Sequence, residues 1–142
     1  MCGIFGILGE EFIKNNLSQI KDALELIEHR GPDSASIDML DNEKVLLGFH
    51  RLAIMDPSNK GNQPFEYDDN EYKYTCICNG EIYNFRELRT ELEAKGYCFR
   101  SQTDSEVVLS ALAEWGAEAL LKFNGMFALA FWDRKEKKLL LA

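Results

Sequence analysis

Helical segments alternate along this chain with pairs of short strands joined by polar turns, and this order constrains the fold more than any other sequence feature. Apolar runs flank turn-like polar sequences, as in β-hairpins, at residues 36–40 and 45–49, 65–67 and 72–78, and 126–132 and 139–141. The middle hairpin is expected to end at Asn79-Gly80. Because hairpin strands run antiparallel, the pattern favours helices packed on largely antiparallel sheets over a doubly wound fold.

The predicted helices have recognisable N-terminal signals. Apolar residues recur at helical spacing within residues 17–27. Asn84 lies three residues ahead of Glu87, and Thr103 lies three residues ahead of Glu106, which is the spacing of a capping box. A glycine follows each of these last two helices as a C-terminal stop.

Composition narrows the classes of function. A chain of 142 residues with 46% apolar residues is long enough for one domain with a single core. Its 24 acidic and 16 basic residues give a formal charge of −8, which argues against a nucleic-acid or anionic membrane surface. The longest apolar run, residues 126–132, is far too short to span a bilayer, and no basic segment precedes an N-terminal apolar run. We therefore expect a cytoplasmic protein.

The cysteine spacing argues against a metal site. The four cysteines are Cys2, Cys76, Cys78 and Cys98, and none of them forms a Cys-x-x-Cys pair. Neither of the two histidines has a second ligand at metal-binding spacing. We expect free thiols, no bound metal and no cofactor in this chain.

Cys2 is the candidate nucleophile. It opens an apolar, glycine-interleaved run, residues 2–8, that predicts a buried strand. Removal of Met1 would leave a thiol and a free α-amine on the same residue, and the amine, with a pKa near 7.7–8.0, could accept the thiol proton. A cysteine at this position also fits a small apolar core residue, so Cys2 alone does not decide between the two roles.

Three further features could serve an amide-hydrolysing site. The side-chain amide of Asn79 and the N–H of Gly80 could donate to a developing oxyanion, although Asn-Gly is also a common turn sequence. Arg51 could bind a carboxylate through its planar fork, or lie solvated at the surface. Asp104 could bind an ammonium group, or stabilise the first turn of a helix.

Six ordered motifs together resemble the glutamine-hydrolysing domain of asparagine synthetase. They are Met1-Cys2-Gly3-Ile4-Phe5-Gly6, His29-Arg30-Gly31-Pro32-Asp33, His50-Arg51-Leu52-Ala53-Ile54-Met55-Asp56, Asn79-Gly80-Glu81-Ile82-Tyr83-Asn84, Thr103-Asp104-Ser105-Glu106 and Asn124-Gly125-Met126-Phe127-Ala128. Related class II amidotransferases, which make glucosamine phosphate or phosphoribosylamine, share the Cys and the Asn-Gly pair. They typically lack the second and fourth motifs in the form found here, so the synthetase branch is preferred.

The resemblance implies a fold and a mechanism. The fold is the N-terminal-nucleophile type, an α+β four-layer αββα sandwich of antiparallel sheets. The implied reaction is hydrolysis of L-glutamine to glutamate and ammonia through a thioester on Cys2, with Asn79 and Gly80 holding the oxyanion. The residues implied to bind glutamine are Arg51, Leu52, Ala53, Ile54, Met55, Asn79, Gly80, Glu81 and Asp104.

The sequence also departs from the family pattern. It has no Arg-Asp-x-x-Gly-x-x-Pro-Leu segment and no Ser-Gly-Gly-x-Asp-Ser pyrophosphate loop. We therefore expect residues 1–142 to form a glutaminase domain that is incomplete at its C-terminus. The ATP- and Mg²⁺-dependent domain that amidates aspartate is expected elsewhere, in cis or in trans, and a homodimer is left open.

Three other functions stay open at this point. The chain could be a non-catalytic remnant that binds glutamine or assists assembly. It could be the glutaminase domain of another class II amidotransferase. It could also be an N-terminal-nucleophile hydrolase that acts on a different amide, in which case Arg51 and Asp104 would not serve glutamine.

Overall fold

Two antiparallel sheets pack face to face, and helices cover the outer face of each sheet. The structure is a computed structural model that describes residues 2–69 and 71–142. The strands are β1 (Gly3–Leu8), β2 (Ser34–Leu40), β3 (Val45–Arg51), β4 (Phe65–Asp68), β5 (Lys73–Ile82), β6 (Gly125–Asp133) and β7 (Lys138–Leu141). The α-helices are α1 (Glu10–Asn15), α2 (Leu17–Glu25), α3 (Phe85–Ala94) and α4 (Asp104–Trp115), and short 3-10 helices lie at Glu28–Arg30, Asn59–Gly61 and Gly116–Leu121.

The first sheet has the strand order β1-β3-β2, with antiparallel pairing throughout. Its central strand, β3, is buried at every position because it has a strand on each side and a packed layer on each face. The register pairs Gly3 with His50 and Ser34 with Arg51. Consequently the beginning of β1 and of β2 lie at the C-terminal end of β3.

The second sheet has the order β4-β5-β6-β7 and is also antiparallel. Its longest strand, β5, pairs with β6 over its last nine residues, from Tyr74 opposite Asp133 to Ile82 opposite Gly125. Side chains from both sheets, including Phe49, Ile77 and Trp132, form the apolar layer between them. This layer packs the C-terminal half of β3 against that of β5.

The outer layers differ in size. Helices α1 and α2 cover the first sheet through a small cluster that includes Ile13 and Ile20. Helices α3 and α4 cover the second sheet through a larger cluster, to which α4 contributes Val107, Val108, Leu109, Ala111 and Leu112. The predicted αββα sandwich is therefore confirmed. None of the helices in the described part of the chain is long and apolar enough to cross a membrane.

Strand β5 corrects one sequence prediction. We expected the strand to end at Asn79-Gly80, but it continues to Ile82. Gly80 permits this continuation because a Cβ there would overlap the Met126 carbonyl and the backbone of Phe127 on β6. The Asn-Gly pair therefore serves close strand packing here rather than a turn.

The two predicted capping boxes have different outcomes. Thr103 caps α4, since its Oγ1 accepts a hydrogen bond from the Glu106 N–H at 3.3 Å. The return bond of the capping box is not formed, because the Glu106 carboxylate accepts from the Arg100 and Ser101 N–H groups and the Thr103 N–H donates to the Ser101 Oγ.

Asn84 precedes α3, but its side chain makes no cap bond. Instead it donates to the Lys122 carbonyl and accepts from the Asn124 N–H, both at 2.9 Å. The Asn84 side chain therefore makes tertiary hydrogen bonds to residues 122 and 124 in place of the expected bond to the first turn of α3.

Two residues of the sequence analysis lie outside the described part of the chain, and one helix of the structure was not predicted. Met1 and Asn70, which belongs to the predicted turn before β5, are outside the described part of the chain. Helix α1 was not predicted, because the segment Glu10–Asn15 has only two apolar residues and so carries little helical periodicity.

We expect Leu92→Ala to lower the free energy of unfolding by about 2–5 kcal/mol, because Leu92 of α3 is fully buried in the apolar cluster that α3 shares with α4 and the second sheet. Leu121→Ala is the matched control. Its side chain is 83% exposed, so the change should stay within about 0.5 kcal/mol. Urea denaturation of both variants measures the difference, and equal losses would contradict the assigned core.

Candidate active site

Cys2 lies immediately before β1 and beside the segment that follows β3. The Leu52 N–H donates to the Cys2 Sγ at 3.4 Å, and the thiol lies 3.7 Å from the Leu52 carbonyl oxygen. The Arg30 Nε donates to the Cys2 carbonyl at 3.1 Å. The side chain and the main chain of Cys2 are thus held by two different parts of the chain, while the residue stays partly accessible.

The segment 29–33 positions the end of β3. A Cβ on Gly31 would overlap the backbone of His50 and Arg51, so the two chains can approach this closely only at a glycine. The Asp33 N–H donates to the Arg51 carbonyl at 3.0 Å, and the Asp33 carboxylate accepts from the Ala53 N–H at 2.7 Å. The sequence resemblance singled out this motif without a role, and the structure shows that it holds the backbone around Arg51.

One small cavity of about 80 Å³ lies between the ends of the two sheets. It brings together all but one of the predicted site residues: Cys2, Arg51, Leu52, Ile54, Met55, Asn79, Gly80, Glu81 and Asp104. Ala53 is the exception, since it is absent from the lining and uses its N–H to bind Asp33. Residues that sequence analysis did not select also line the cavity: Phe49, Asp56, Gly61, Gln63, Cys78, Thr103 and Ser105.

Arg51 is 5% exposed, so it is not a solvated surface arginine. Its guanidinium binds the loop between β3 and β4. Nη1 donates to the Ser58 carbonyl and to the Asn62 Oδ1, both at 2.7 Å, and Nη2 donates to the Asp56 carbonyl. Gly61 packs so closely that a Cβ would overlap the guanidinium. The loop therefore surrounds the guanidinium and holds Arg51 in the lining of the cavity.

The Asp56 carboxylate fastens the same loop. It accepts hydrogen bonds from the Ser58 hydroxyl at 2.6 Å, the Gln102 N–H at 3.0 Å and the Ser58 N–H at 2.9 Å. These bonds lower the pKa of Asp56 to about 2. The bond to Gln102 ties the Arg51 loop to the segment that precedes α4, which carries Asp104.

Asp104 is the first residue of α4 and is 6% exposed. Its Oδ2 accepts from the Ile82 N–H at 2.8 Å. Burial raises the pKa of this carboxyl, because desolvation outweighs the hydrogen bonds from the Ile82 and Ser105 N–H groups. No basic side chain pairs with Asp104 among residues 2–69 and 71–142. A cationic ligand in the cavity would therefore stabilise the ionised form of this carboxylate.

Gln63 organises the wall next to Asn79. Its side chain accepts from the Cys78 N–H at 2.6 Å and donates to the Cys78 carbonyl at 3.0 Å, as a neighbouring strand would. The adjacent Asn79 has a buried Oδ1 without a hydrogen-bond partner among the described residues. Sequence reasoning missed Gln63 because this pairing joins residues fifteen positions apart across a loop.

Of the four cysteines, Cys2 and Cys78 line the cavity. Burial, reinforced by the negative charges of Asp104 and of the Cys2 thiolate, raises the pKa of Cys78 to about 12. A thiol with such a pKa is protonated at neutral pH and is a poor nucleophile. Within the described part of the chain, no three His, Cys, Asp or Glu side chains converge as ligands for a metal ion.

A comparison with known families decides the assignment. The family described as the glutamine amidotransferase domain matches residues 1–142. The chain belongs to this family. It is therefore an enzyme domain, and the cavity around Cys2 is the candidate active site of a glutamine amidotransferase.

Curated relatives of this amidotransferase domain carry one recurring name. The chain is 42% identical over 139 residues to asparagine synthetase [glutamine-hydrolyzing] 1 of Bacillus subtilis, with 96% of this chain and 21% of the relative covered. It is 37% identical over 146 residues to asparagine synthetase [glutamine-hydrolyzing] 3 of the same species, with 100% of this chain and 23% of the relative covered. The chain thus spans about a fifth of the length of these relatives.

A solved structure supports the fold. The glutamine phosphoribosylpyrophosphate amidotransferase of B. subtilis superposes with a TM-score of 0.70 over 94% of this chain and 35% of that chain, at 19% sequence identity. At this identity the likeness shows the N-terminal-nucleophile fold of the amidotransferase domain, in agreement with the two packed antiparallel sheets.

We expect Asp104→Asn to raise the stability of the ligand-free domain at pH 7. The pKa of Asp104 is raised in the folded state, so its ionisation opposes folding as pH rises above the ordinary Asp value. The amide keeps an acceptor for the Ile82 N–H without the buried charge. The stabilisation should vanish below about pH 3.9, where both states are protonated. Melting temperatures from pH 3 to 8 measure this, and a less stable variant at pH 7 would contradict it.

Proposed function

We propose that the chain is the glutaminase half of an asparagine synthetase, hydrolysing L-glutamine to glutamate and ammonia through a thioester on Cys2. One observation supports this most directly: the cavity that contains the Cys2 thiol is lined by a buried guanidinium, Arg51, and a buried carboxylate, Asp104. Neither charge has an ionic partner within the described ranges.

The two charges suit the ends of a free amino acid. An α-carboxylate would accept from the Arg51 guanidinium, and an α-ammonium would donate to the Asp104 carboxylate. Each substrate charge would compensate a protein charge that is otherwise buried without a counterion. With both ends bound, the side-chain amide of glutamine would reach towards Cys2, which is how the site would select this amide.

The chemistry requires the α-amine of Cys2. With Met1 attached, that nitrogen is a peptide nitrogen with no basic lone pair, so the active form would be the protein from which Met1, itself outside the described residues, has been removed. The amine takes the thiol proton, and the thiolate forms a C–S bond to the amide carbon. The Asn79 amide and the Gly80 N–H stabilise the resulting oxyanion.

The remaining steps complete the hydrolysis. The ammonium on Cys2 returns its proton to the departing nitrogen as the C–N bond breaks, which releases ammonia and leaves the γ-glutamyl thioester. Water then attacks the thioester carbon, the C–S bond breaks, and glutamate leaves with the thiol regenerated. No metal or cofactor is needed in these steps.

The names of the relatives suggest where the ammonia goes. We infer that a second domain, in cis or in trans, uses it to amidate aspartate with ATP and Mg²⁺. Residues 1–142 lack a glycine-rich pyrophosphate loop, so this chemistry belongs to that other domain. A homodimer and a cytoplasmic location stay expectations of the sequence.

We expect Cys2→Ala to abolish glutamate release from L-glutamine, because no other cavity thiol can ionise readily at pH 7. Binding of glutamine should persist, since Arg51 and Asp104 are intact. A glutaminase assay and calorimetry on protein whose N-terminus has been verified by mass spectrometry measure both. Equal turnover by both proteins would exclude Cys2 as the nucleophile, whereas binding without turnover by the processed wild type would identify a non-catalytic module.

We expect Asn79→Ala to lower kcat for glutamine by about 10²- to 10³-fold with little change in KM, because an oxyanion donor acts mainly in the transition state. Asn59→Ala is the control. Asn59 is exposed, and its side chain makes no hydrogen bond to any residue that the structure describes, so kcat should be unchanged. Steady-state kinetics separate the two constants. A rise in KM alone would assign Asn79 to substrate binding instead.

A further inference from the structure

The groups that accept hydrogen bonds from the Arg51 side chain in the described part of the chain are all electrically neutral. The three hydrogen bonds of Arg51 go to two backbone carbonyls, Asp56 and Ser58, and to the carboxamide oxygen of Asn62. A buried charge is ordinarily matched by an opposite charge, because desolvating it alone is costly. The Asp56 carboxylate lies near enough for the Arg51 charge to help lower its pKa, but it forms no salt bridge with Arg51 and accepts its hydrogen bonds from Ser58 and Gln102. The guanidinium of Arg51 is therefore oriented by neutral acceptors and forms no salt bridge with any described residue.

Asn62 is the only side chain among these three acceptors, and its position is well defined. Its Oδ1 accepts from the Arg51 Nη1 at 2.7 Å and from the Ser34 hydroxyl at 3.2 Å. Ser34 lies opposite Arg51 in the β2–β3 register, so the two donors converge from paired strands. The Asn62 N–H donates to the Asn59 carbonyl at 3.1 Å, which fixes the backbone. Because a guanidinium can only donate, the amide oxygen must face it.

We propose that Asn62 is a positioning residue that orients Arg51 for the substrate carboxylate while leaving the charge of the guanidinium available. This inference rests on the proposed glutaminase function. An aspartate at position 62 has nearly the same shape and could accept the same two hydrogen bonds. It would, however, form an ion pair with Arg51 and compete with the substrate carboxylate for the guanidinium.

Asn62→Asp tests whether the side chain that accepts from Arg51 must be uncharged for the substrate carboxylate to bind. We expect it to raise KM for L-glutamine by about 10- to 100-fold, the range for losing a charge-assisted interaction, while kcat changes less than about threefold. Asn62→Ser retains a neutral acceptor and should raise KM less than Asn62→Asp does. Asn59→Asp adds the same charge to the same loop at an exposed position and should leave both constants unchanged. Melting temperatures confirm that each variant is folded.

The outcomes separate the role of Asn62 from the proposed function. An unchanged KM in Asn62→Asp, a larger loss in Asn62→Ser, or a loss confined to kcat would overturn the positioning role. A processed wild type with no glutaminase activity would instead count against the function. In that case calorimetry with L-glutamate carries the test: weaker binding by Asn62→Asp than by Asn59→Asp supports the role of Asn62, and equal binding overturns it.

Discussion

The antiparallel pairing of β1 with β3 is the contact on which the rest of the site depends. Its register places Gly3 opposite His50, so Cys2 and Arg51 meet at the same edge of the first sheet although they are 49 positions apart. A slip of one residue would reverse the faces of every side chain on β1. In the observed register Ile4 packs in the layer between the sheets, whereas Phe5 and Ile7 pack in the layer beneath α1 and α2, so a slip would exchange the layers to which these side chains belong.

The second sheet supplies the other half of the cavity through close backbone contacts. Gly80 lets β5 run against β6 through the very residues that line the site, and Gly31 lets the segment before β2 lie against His50 and Arg51. Both glycines are required by space rather than by a turn conformation, since neither has a positive φ. The site is therefore built on strand ends and close packing, which hold its groups more rigidly than free loops would.

The electrostatics of the cavity work against stability and in favour of binding. Arg51 and Asp104 are each buried without an ionic partner among the described residues, and burial alone raises the pKa of the Asp104 carboxyl. Such groups lower the stability of the empty fold, which recovers the loss when a ligand of opposite charge binds. Hydrogen bonds with neutral partners, from the Arg51 guanidinium to the Asn62 Oδ1 and from the Ile82 N–H to the Asp104 carboxylate, maintain the geometry without removing the charges. This arrangement suits a zwitterionic substrate.

Hydrophobic periodicity and turn signals in the sequence determined that helices pack on antiparallel sheets, and they located most strands and the Thr103 cap, because these signals are local. The ordered motifs, through the family resemblance, added the four-layer fold and nine of the sixteen residues that line the cavity. The tertiary structure alone decided that β5 runs through Asn79-Gly80, that Asn84 binds Lys122 and Asn124 rather than capping α3, and that Ala53 stays outside the cavity. It also revealed Asn62 and Gln63, whose partners are 11 and 15 positions away. Contacts of this kind depend on how the two sheets approach each other, and no local pattern encodes that distance.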